Sequence, residues 1–240
     1  MCFSATASFA STGLLVPLGI TALWRSCRNG RTDLWPLALM PLGFGLQQAL
    51  EGLVWLGLNQ GSLSAPPRLE AMLYLFFALA CWPIWIPFMA LRLSDKGAAI
   101  WGVDRGRRRL LLALQGCGLV MAVALWLPLL LQPERIEPVV VNGSINYGLR
   151  LLLSGGVAGV VPAVYAVVVT GPLLLLPSAP LRSYGIALLI SGVISEWFYR
   201  HAFASVWCYF SAVLAGLVVW MVWTEPRFAA APVHDVSPSL

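Results

Sequence analysis

Charge is scarce in this sequence. Asp, Glu, Lys and Arg make up 10% of the 240 residues, whereas 59% are hydrophobic. An ordinary soluble domain carries roughly 25% charged residues. A water-soluble core cannot enclose so much apolar surface, so soluble globular and disordered chains are excluded and the bilayer is the expected solvent. The net charge of +5 does not indicate a nucleic-acid partner, because the cations lie in short segments between apolar runs.

Residues that particular functions require are also scarce or missing. The single lysine, Lys96, falls in a predicted loop, which excludes a retinal Schiff base because that linkage needs an intramembrane lysine. The two histidines, His201 and His234, are too few for paired haem ligands or a histidine-rich zinc site. No Gly-x-x-x-x-Gly-Lys-Ser/Thr motif is present, so a P-loop nucleotide site is excluded. These absences leave no cofactor that the sequence can name.

Seven apolar runs are long enough to cross a bilayer, for which a helix needs about 20 residues. They cover residues 7–25, 35–58, 71–92, 109–131, 154–177, 183–202 and 203–224. The pattern predicts an all-α integral membrane bundle of seven transmembrane helices, forming one domain over residues 1–224. The last two runs nearly touch, so a tight turn around Arg200 to Phe203 must separate them. Residues 225–240 are rich in Ala, Pro and Ser and are predicted to be a disordered cytoplasmic tail.

The distribution of cations predicts the orientation of the bundle. With seven helices, eleven of the fifteen Lys and Arg residues fall on one side. Loops rich in these residues stay cytoplasmic, so we expect the N-terminus outside and the C-terminus inside. The membrane is then the inner membrane of a bacterial cell or an internal photosynthetic membrane. The third loop ends in four arginines that suit either an anionic-lipid contact or a plain topology signal: Arg105, Arg107, Arg108 and Arg109.

Two local patterns carry further expectations. Pro17 and Pro162 lie in similar short segments, and each precedes an acid, Glu51 or Glu196, by the same interval. This echo indicates either a 3+1+3 arrangement of two parallel triplets, as in transporters, or chance. In the fourth loop, the pair Asn142-Gly143 between β-branched residues predicts a small hairpin with a type I′ turn.

The most informative residue is a lone acid, Glu51, inside the second apolar run. A carboxylate within a membrane is costly unless it is protonated, paired or facing water, so such residues are functional candidates. Gln47, Gln48 and Trp55 share its helical stripe, and no basic residue lies within a turn. An acid beside amides suits proton transfer, cation binding or a hydrogen bond to a ligand. The alternative is a polar contact that holds two helices together.

The other acid within an apolar run, Glu196, precedes Arg200 by four residues, so it forms either an interfacial salt bridge or part of a polar site that His201 completes. In the third run, two prolines must bend the helix and free backbone carbonyls. Trp82 and Trp85 share a face there and either wall a pocket or pack the kinked helix.

Two cysteines complete the candidates. If the N-terminus is outside, Cys2 shares the outer half with His201, Cys208 and the two glutamates. Such a set suits a soft or borderline metal ion, or an activated thiol. An external Cys2–Cys208 disulfide or two inert thiols are the alternatives.

Four segments resemble a family of small, uncharacterised bacterial multi-pass membrane proteins. They are Cys2-Phe-Ser-Ala-Thr-Ala-Ser-Phe9, Gln47-Gln48 with Glu51-Gly-Leu-Val-Trp55, Phe76 to Pro87, and Ser195-Glu-Trp197. The resemblance implies a membrane fold and carries over no activity and no catalytic residues.

Three functions are compatible with these observations. The first is binding or transport of a small molecule, cation or proton through an acidic pocket in the outer half of the membrane. Its residues would be Glu51 as the protonatable centre, Gln47 and Gln48 as polar liners, Trp55, Trp82 and Trp85 as walls, and Glu196 and His201 at the mouth. The second is an intramembrane enzyme or metal-binding protein built on Cys2, His201, Cys208 and the glutamates. The third is an accessory subunit of a larger membrane complex.

Overall fold

The computed structural model describes residues 4–59, 66–96, 104–148 and 160–224, which form seven main helices and one small hairpin. The helices are α1, Ala5–Arg28; α2, formed by Trp35–Ala38 and Met40–Asn59; α3, formed by Arg68–Phe76, a π-helical turn over Phe77–Cys81, and Trp82–Lys96; α4, Arg105–Leu131; α5, Val161–Leu175; α6, Ala179–Phe198; and α7, Phe203–Thr224. The hairpin strands are β1, Val139–Val141, and β2, Ser144–Asn146.

Five of the helical spans in the described residues are long and apolar enough to cross a membrane: Ala5–Arg28, Trp35–Asn59, Arg68–Ser94, Arg105–Leu131 and Arg200–Thr224. The predicted all-α, multi-pass membrane architecture is therefore confirmed at this level. The other two helices are α5, with 15 residues described, and α6, with 20. The orientation across the bilayer and the 3+1+3 repeat stay predictions. Cys2 and the predicted tail over 225–240 lie outside the described residues.

Two predicted turns are present. The backbone of Asn142 has φ of 50° and that of Gly143 has φ of 76°, so both central residues of the hairpin adopt positive φ. Because a type I′ turn requires this of both residues, the predicted Asn-Gly hairpin is confirmed. Between α6 and α7 the chain turns in a short 3-10 helix, Arg200–Ala202, at the place where the sequence requires a break.

Helices α2 and α7 pack against each other and against several neighbouring helices. Helix α2 packs against α1, α3 and α7, while α7 also packs against α1 and α6. Helices α1 and α2 approach closely because each presents a glycine to the other. A Cβ on Gly52 of α2 would lie 2.7 Å from the Phe9 ring, and one on Gly19 of α1 would lie 2.8 Å from the Leu42 nitrogen. In lipid, such close approach of small residues supplies much of the attraction between helices.

A π-helical turn interrupts α3. Here the Trp82 N–H donates to the carbonyl of Phe77, five residues back. The next residue, Pro83, has no N–H, so the Ala78 carbonyl loses the partner that this pattern would give it. The Tyr165 hydroxyl of α5 donates to that carbonyl instead. A backbone group freed by proline is thus satisfied by a neighbouring helix.

The second proline of this segment shapes the contact between α3 and α4. Pro87 cannot donate to the carbonyl of Pro83, which is therefore exposed on the side of the helix. Gly118 of α4 packs directly on that carbonyl, since a Cβ at this position would lie 2.0 Å from the Pro83 oxygen. Only glycine allows α4 to approach the kink this closely.

The buried side chains form two clusters at different heights of the bundle. The larger core is mainly aliphatic and includes Leu37, Met89 and Leu173. The smaller core contains two tyrosines, Tyr74 and Tyr147, and includes residues of the hairpin. We call the end of the bundle that holds the hairpin and the 3-10 turn before α7 the hairpin end. The opposite end, where α1 finishes and α4 begins, is the basic end.

Candidate functional site

The acid that stood out in the sequence lies at the border between the two cores. Glu51 is 2% exposed and is held by α2 against α7. Ser205 of α7 donates its hydroxyl to Glu51 Oε1, and Gln48 donates its amide Nε2 to Glu51 Oε2 at 3.1 Å. No ion pair involves Glu51 within the described residues. Each carboxyl oxygen therefore accepts a hydrogen bond from a neutral donor, and no cation balances the group.

A second amide extends this arrangement to α3. The indole Nε1 of Trp82 donates to Gln47 Oε1 at 2.7 Å, and the same ring stacks on Phe44 with centroids 3.9 Å apart. Gln47 and Gln48 are both fully buried. The π turn of α3 sets the position of the Trp82 ring, because it rotates the following residues relative to a regular helix. Each predicted amide liner is thus held by one hydrogen bond, Gln47 by Trp82 of α3 and Gln48 by Glu51 of its own helix.

Helix α7 brings Cys208 beside these groups. Its thiol lies near the Tyr74 and Gln47 side chains. The Tyr74 hydroxyl donates to the Ala204 carbonyl at 3.1 Å, which ties α3 to the first turn of α7. We call Gln47, Gln48, Glu51, Tyr74, Ser205 and Cys208 the polar cluster. It consists of one acid and five neutral groups buried among three helices.

A cavity of about 160 Å³ adjoins the polar cluster at the hairpin end. Its walls come from α3, α4 and the segment after it, the hairpin, α5, the end of α6, and the 3-10 turn with the start of α7. Cys208 and Tyr147 line it, whereas Glu51 does not. The acid is therefore one layer of side chains away from the open space. The sequence predicted Glu51 at the centre of a pocket, whereas in the structure it lies behind the residues that form the cavity floor.

Charged and polar side chains gather on part of the cavity wall. They are Arg135, Asn146, Glu196, Arg200 and His201. Arg200 Nε donates to Glu196 Oε1 at 3.0 Å, so the salt bridge expected from their spacing is present and lies on this wall. Two predicted mouth residues, Glu196 and His201, are thus brought to one opening. The deeper wall is apolar and aromatic, with Ala124, Leu125, Tyr165 and Trp207.

Tyr147 is the buried polar group of this wall. Its side chain follows β2, is 2% exposed and stacks on Tyr74 with centroids 4.8 Å apart. Its hydroxyl has no hydrogen-bond partner within the described residues, and the same is true of His201 Nε2. Burial raises the pKa of Tyr147 well above its ordinary value, so the hydroxyl keeps its proton at neutral pH and stays a donor.

The predicted tryptophan walls do not meet in the cavity: Trp82 and Trp85 together line a separate, more open pocket, and Trp55 lies elsewhere. Trp82 joins the polar cluster through Gln47. Trp55 is buried in the smaller core. Trp85 points its Nε1 to the Pro36 carbonyl at 3.0 Å, toward the start of α2 and away from the cavity. Of the three, only Trp82 therefore touches the amides around Glu51 through a hydrogen bond in the described residues.

The metal-site alternative gains no support from the described residues. No group of three or more His, Cys, Asp or Glu side chains is gathered there in a way that could hold a metal ion. Cys208 has no disulfide partner within the same ranges. Because Cys2 lies outside them, both the metal site and the disulfide stay predictions.

The arginines predicted to contact anionic lipid begin α4. Asp104 caps this helix by accepting a hydrogen bond from the Arg107 backbone N–H at 2.8 Å. Arg105, Arg107, Arg108 and Arg109 are all exposed in the first turns. Cations at a helix N-terminus oppose the helix dipole, so they do not stabilise α4 itself. Their role in topology or lipid contact stays a prediction.

Sequence reasoning missed four residues of the site: Ser205, Tyr74, Tyr147 and Arg135. A serine or tyrosine in an apolar helix usually bonds its own backbone or a neighbouring helix, so neither type stands out in a sequence. The signal for Tyr147 was its place directly after the predicted hairpin. Arg135 gave no signal, because an arginine near a helix end is ordinary.

In a comparison with protein families, residues 1–235 match the model of DUF6629, a family of unknown function. No curated protein and no solved structure matches the chain.

Proposed function

We propose that this protein, which belongs to the family of unknown function DUF6629, binds a small molecule in the cavity beside Glu51. The observation that carries the proposal is the Tyr147 hydroxyl, which is buried on the cavity wall without a hydrogen-bond partner in the described residues. A buried polar group left unpaired costs roughly 1–3 kcal/mol. A bound molecule that accepts a hydrogen bond from Tyr147 would remove this cost.

The size of the cavity limits the ligand. Its volume of about 160 Å³ is close to that of an apolar cavity that accommodates benzene, for which about 150 Å³ suffices. The enclosed part of the ligand is therefore expected to have roughly six to ten non-hydrogen atoms. Larger ligands would have to extend past the polar part of the wall.

In this proposal Glu51 acts through the cavity floor. Ser205, which bonds the acid, lies on the same turns of α7 as Ala204 and Cys208, which line the cavity. A change in the protonation of Glu51 alters its hydrogen bond with Ser205 and thereby affects the residues of α7 that form the cavity floor. Glu51 is then a positioning residue that can couple ligand binding to proton uptake. Transport of the ligand, and a place in a larger complex, stay predictions.

Native mass spectrometry of the protein purified in mild detergent tests the proposal. We expect the wild-type protein to carry a bound small molecule, seen as a discrete mass increment. The variant Ala204→Phe fills the cavity and should lose that increment. The matched control is Val213→Phe, which adds the same ring to a lipid-facing position of α7 and should retain it.

Two results would contradict the proposal. One is a wild-type protein that never carries an increment, whether isolated in detergent or in native nanodiscs. The other is an increment that persists in Ala204→Phe, since a molecule bound elsewhere would not respond to filling this cavity. Circular dichroism of each variant checks that the helices remain folded.

A further inference from the structure

We infer that the ligand is a small amphipathic organic anion, with its oxyanion head at Arg135, Tyr147 and His201 and its apolar body against α4 and α5. This inference rests on the proposed function and names the chemical class that the cavity takes. It follows from the balance of charge, the hydrogen-bond donors and the depth of the apolar wall.

The charge on the cavity wall favours an anion. Apart from its tyrosines and Cys208, the ionisable side chains of the described residues that line it are Arg135, Glu196, Arg200 and His201. The acid of this set, Glu196, is engaged with Arg200 at 3.0 Å, so that pair is close to neutral. Arg135 has no ion-pair partner in the described ranges. A guanidinium without a counter-ion is a ready partner for a carboxylate or phosphate.

Acidic neighbours of Arg135 do not cancel this charge within the cavity. Glu134 and Glu137 flank it in sequence and are exposed, as Arg135 itself is, but of the three only Arg135 lines the cavity. Glu51 is behind the floor and bonds Ser205 and Gln48. A cationic ligand would therefore meet Arg135 without meeting a free acid on the wall.

The unpartnered polar atoms on the wall suit an oxyanion. The Tyr147 hydroxyl keeps its proton at neutral pH and can therefore donate a hydrogen bond to a ligand oxygen. His201 Nε2 is buried and unpartnered in the described residues, and it donates either in the charged form or in the tautomer that carries its proton there. With the Arg135 guanidinium, these groups offer donors from three separate elements: the segment after α4, the hairpin and the turn before α7.

The rest of the wall suits an apolar body. Ala124 and Leu125 lie six to seven residues before the end of α4 at Leu131, which places them about 10 Å along the helix axis from that end. Tyr165 and Trp207 form the aromatic face opposite. A head held at the donors thus points a short chain or a ring into the helical part of the bundle.

Equilibrium dialysis with radiolabelled probes tests the inference. The protein is placed in phosphatidylcholine nanodiscs, and retention by empty nanodiscs is subtracted. The probes are octanoate, octylammonium and 1-octanol, which share a chain length and differ in head charge. We expect octanoate to bind at least about tenfold more tightly than octylammonium, since one charge-assisted contact is worth about 1.5 kcal/mol or more.

Two variants locate the head. Arg135→Gln should weaken octanoate binding about tenfold and leave 1-octanol binding within about twofold. Arg68→Gln is the matched control, because it removes an exposed cation from the same end of the bundle outside the cavity wall. It should leave both probes unchanged.

The outcomes separate this inference from the proposed function. If 1-octanol binds as tightly as octanoate and Ala204→Phe abolishes both, the cavity binds small molecules and the preference for anions is overturned. A preference for octylammonium, or octanoate binding that Arg135→Gln does not change, overturns it as well. If no probe binds, the inference fails, and the native mass spectrum still decides whether the cavity holds a ligand.

Discussion

The two buried cores of this bundle differ in the polarity of their side chains and in how completely those side chains fill the space between helices. The larger core is mainly aliphatic, with a few aromatic side chains that include the buried Tyr184, and its members pack across helices. The smaller core holds Tyr74, Tyr147 and Cys208, and it borders both the polar cluster and the cavity. The first is mainly apolar, although Tyr184 buries a hydroxyl there without a partner in the described residues, whereas the second brings several polar groups and open space together.

This difference matters because polar groups and voids both cost stability. An aliphatic core gains van der Waals contact at every position. A cavity forfeits such contacts, and an unpaired hydroxyl adds a desolvation cost. The cavity and an unpaired hydroxyl occur together at one end of the molecule, beside a buried acid. We therefore place function at that end and structural support in the larger core.

Truncation of the larger core should have the largest effect on stability. Leu173→Ala removes a fully buried side chain of α5, and we expect a loss of about 2 kcal/mol in the free energy of unfolding from the void that remains. Ligand retention in the native mass spectrum should be unchanged. SDS titration in mixed micelles measures the stability, and a loss of ligand without a loss of stability would reverse the roles assigned to the two cores.

Removal of the hydroxyl that bonds the acid should have a smaller effect. Ser205→Ala leaves Glu51 Oε1 without its donor, and we expect a loss of about 1 kcal/mol by the same titration. The control is Ser211→Ala on the same helix, whose hydroxyl bonds only the Trp207 carbonyl within its own helix. Equal effects of the two substitutions would mean that the Ser205–Glu51 contact contributes nothing of its own.

Replacement of the acid by its amide should change stability least. In Glu51→Gln the new amide can still accept from Ser205, and the Gln48 amide can turn to present its oxygen, which has no partner in the described residues. We expect a loss below about 0.5 kcal/mol together with a pH profile of octanoate binding that differs from the wild-type profile. A pH profile of octanoate binding that matches the wild-type profile would exclude a proton-linked role for Glu51.

Composition and periodicity were enough to predict the membrane fold, since few sequences with so little charge have another way to bury their surface. Turn chemistry was enough to predict the hairpin, because Asn142 and Gly143 both tolerate positive φ. The polar residues of α2 could be found because amides and an acid are costly in lipid. Their partners could not, because which face of α7 meets α2 depends on packing across residues far apart in sequence.

The position of Glu51 relative to the cavity also could not be predicted from the sequence. A helical stripe shows which residues share a face, but it does not show whether that face meets open space or another helix. Here Ser205 and Gln48 fill the position that a ligand would need at the acid. The pocket is formed one layer farther out by the hairpin and by α4 and α5, whose mutual placement no local pattern encodes.

An experimental density map of the protein isolated with its native lipids tests the central claim most directly. We predict non-protein density inside the cavity, in contact with the Tyr147 hydroxyl and against Cys208, while Glu51 stays covered by Ser205. A map at side-chain resolution in which the space holds only ordered water, or is filled by the protein's own side chains, would contradict the account.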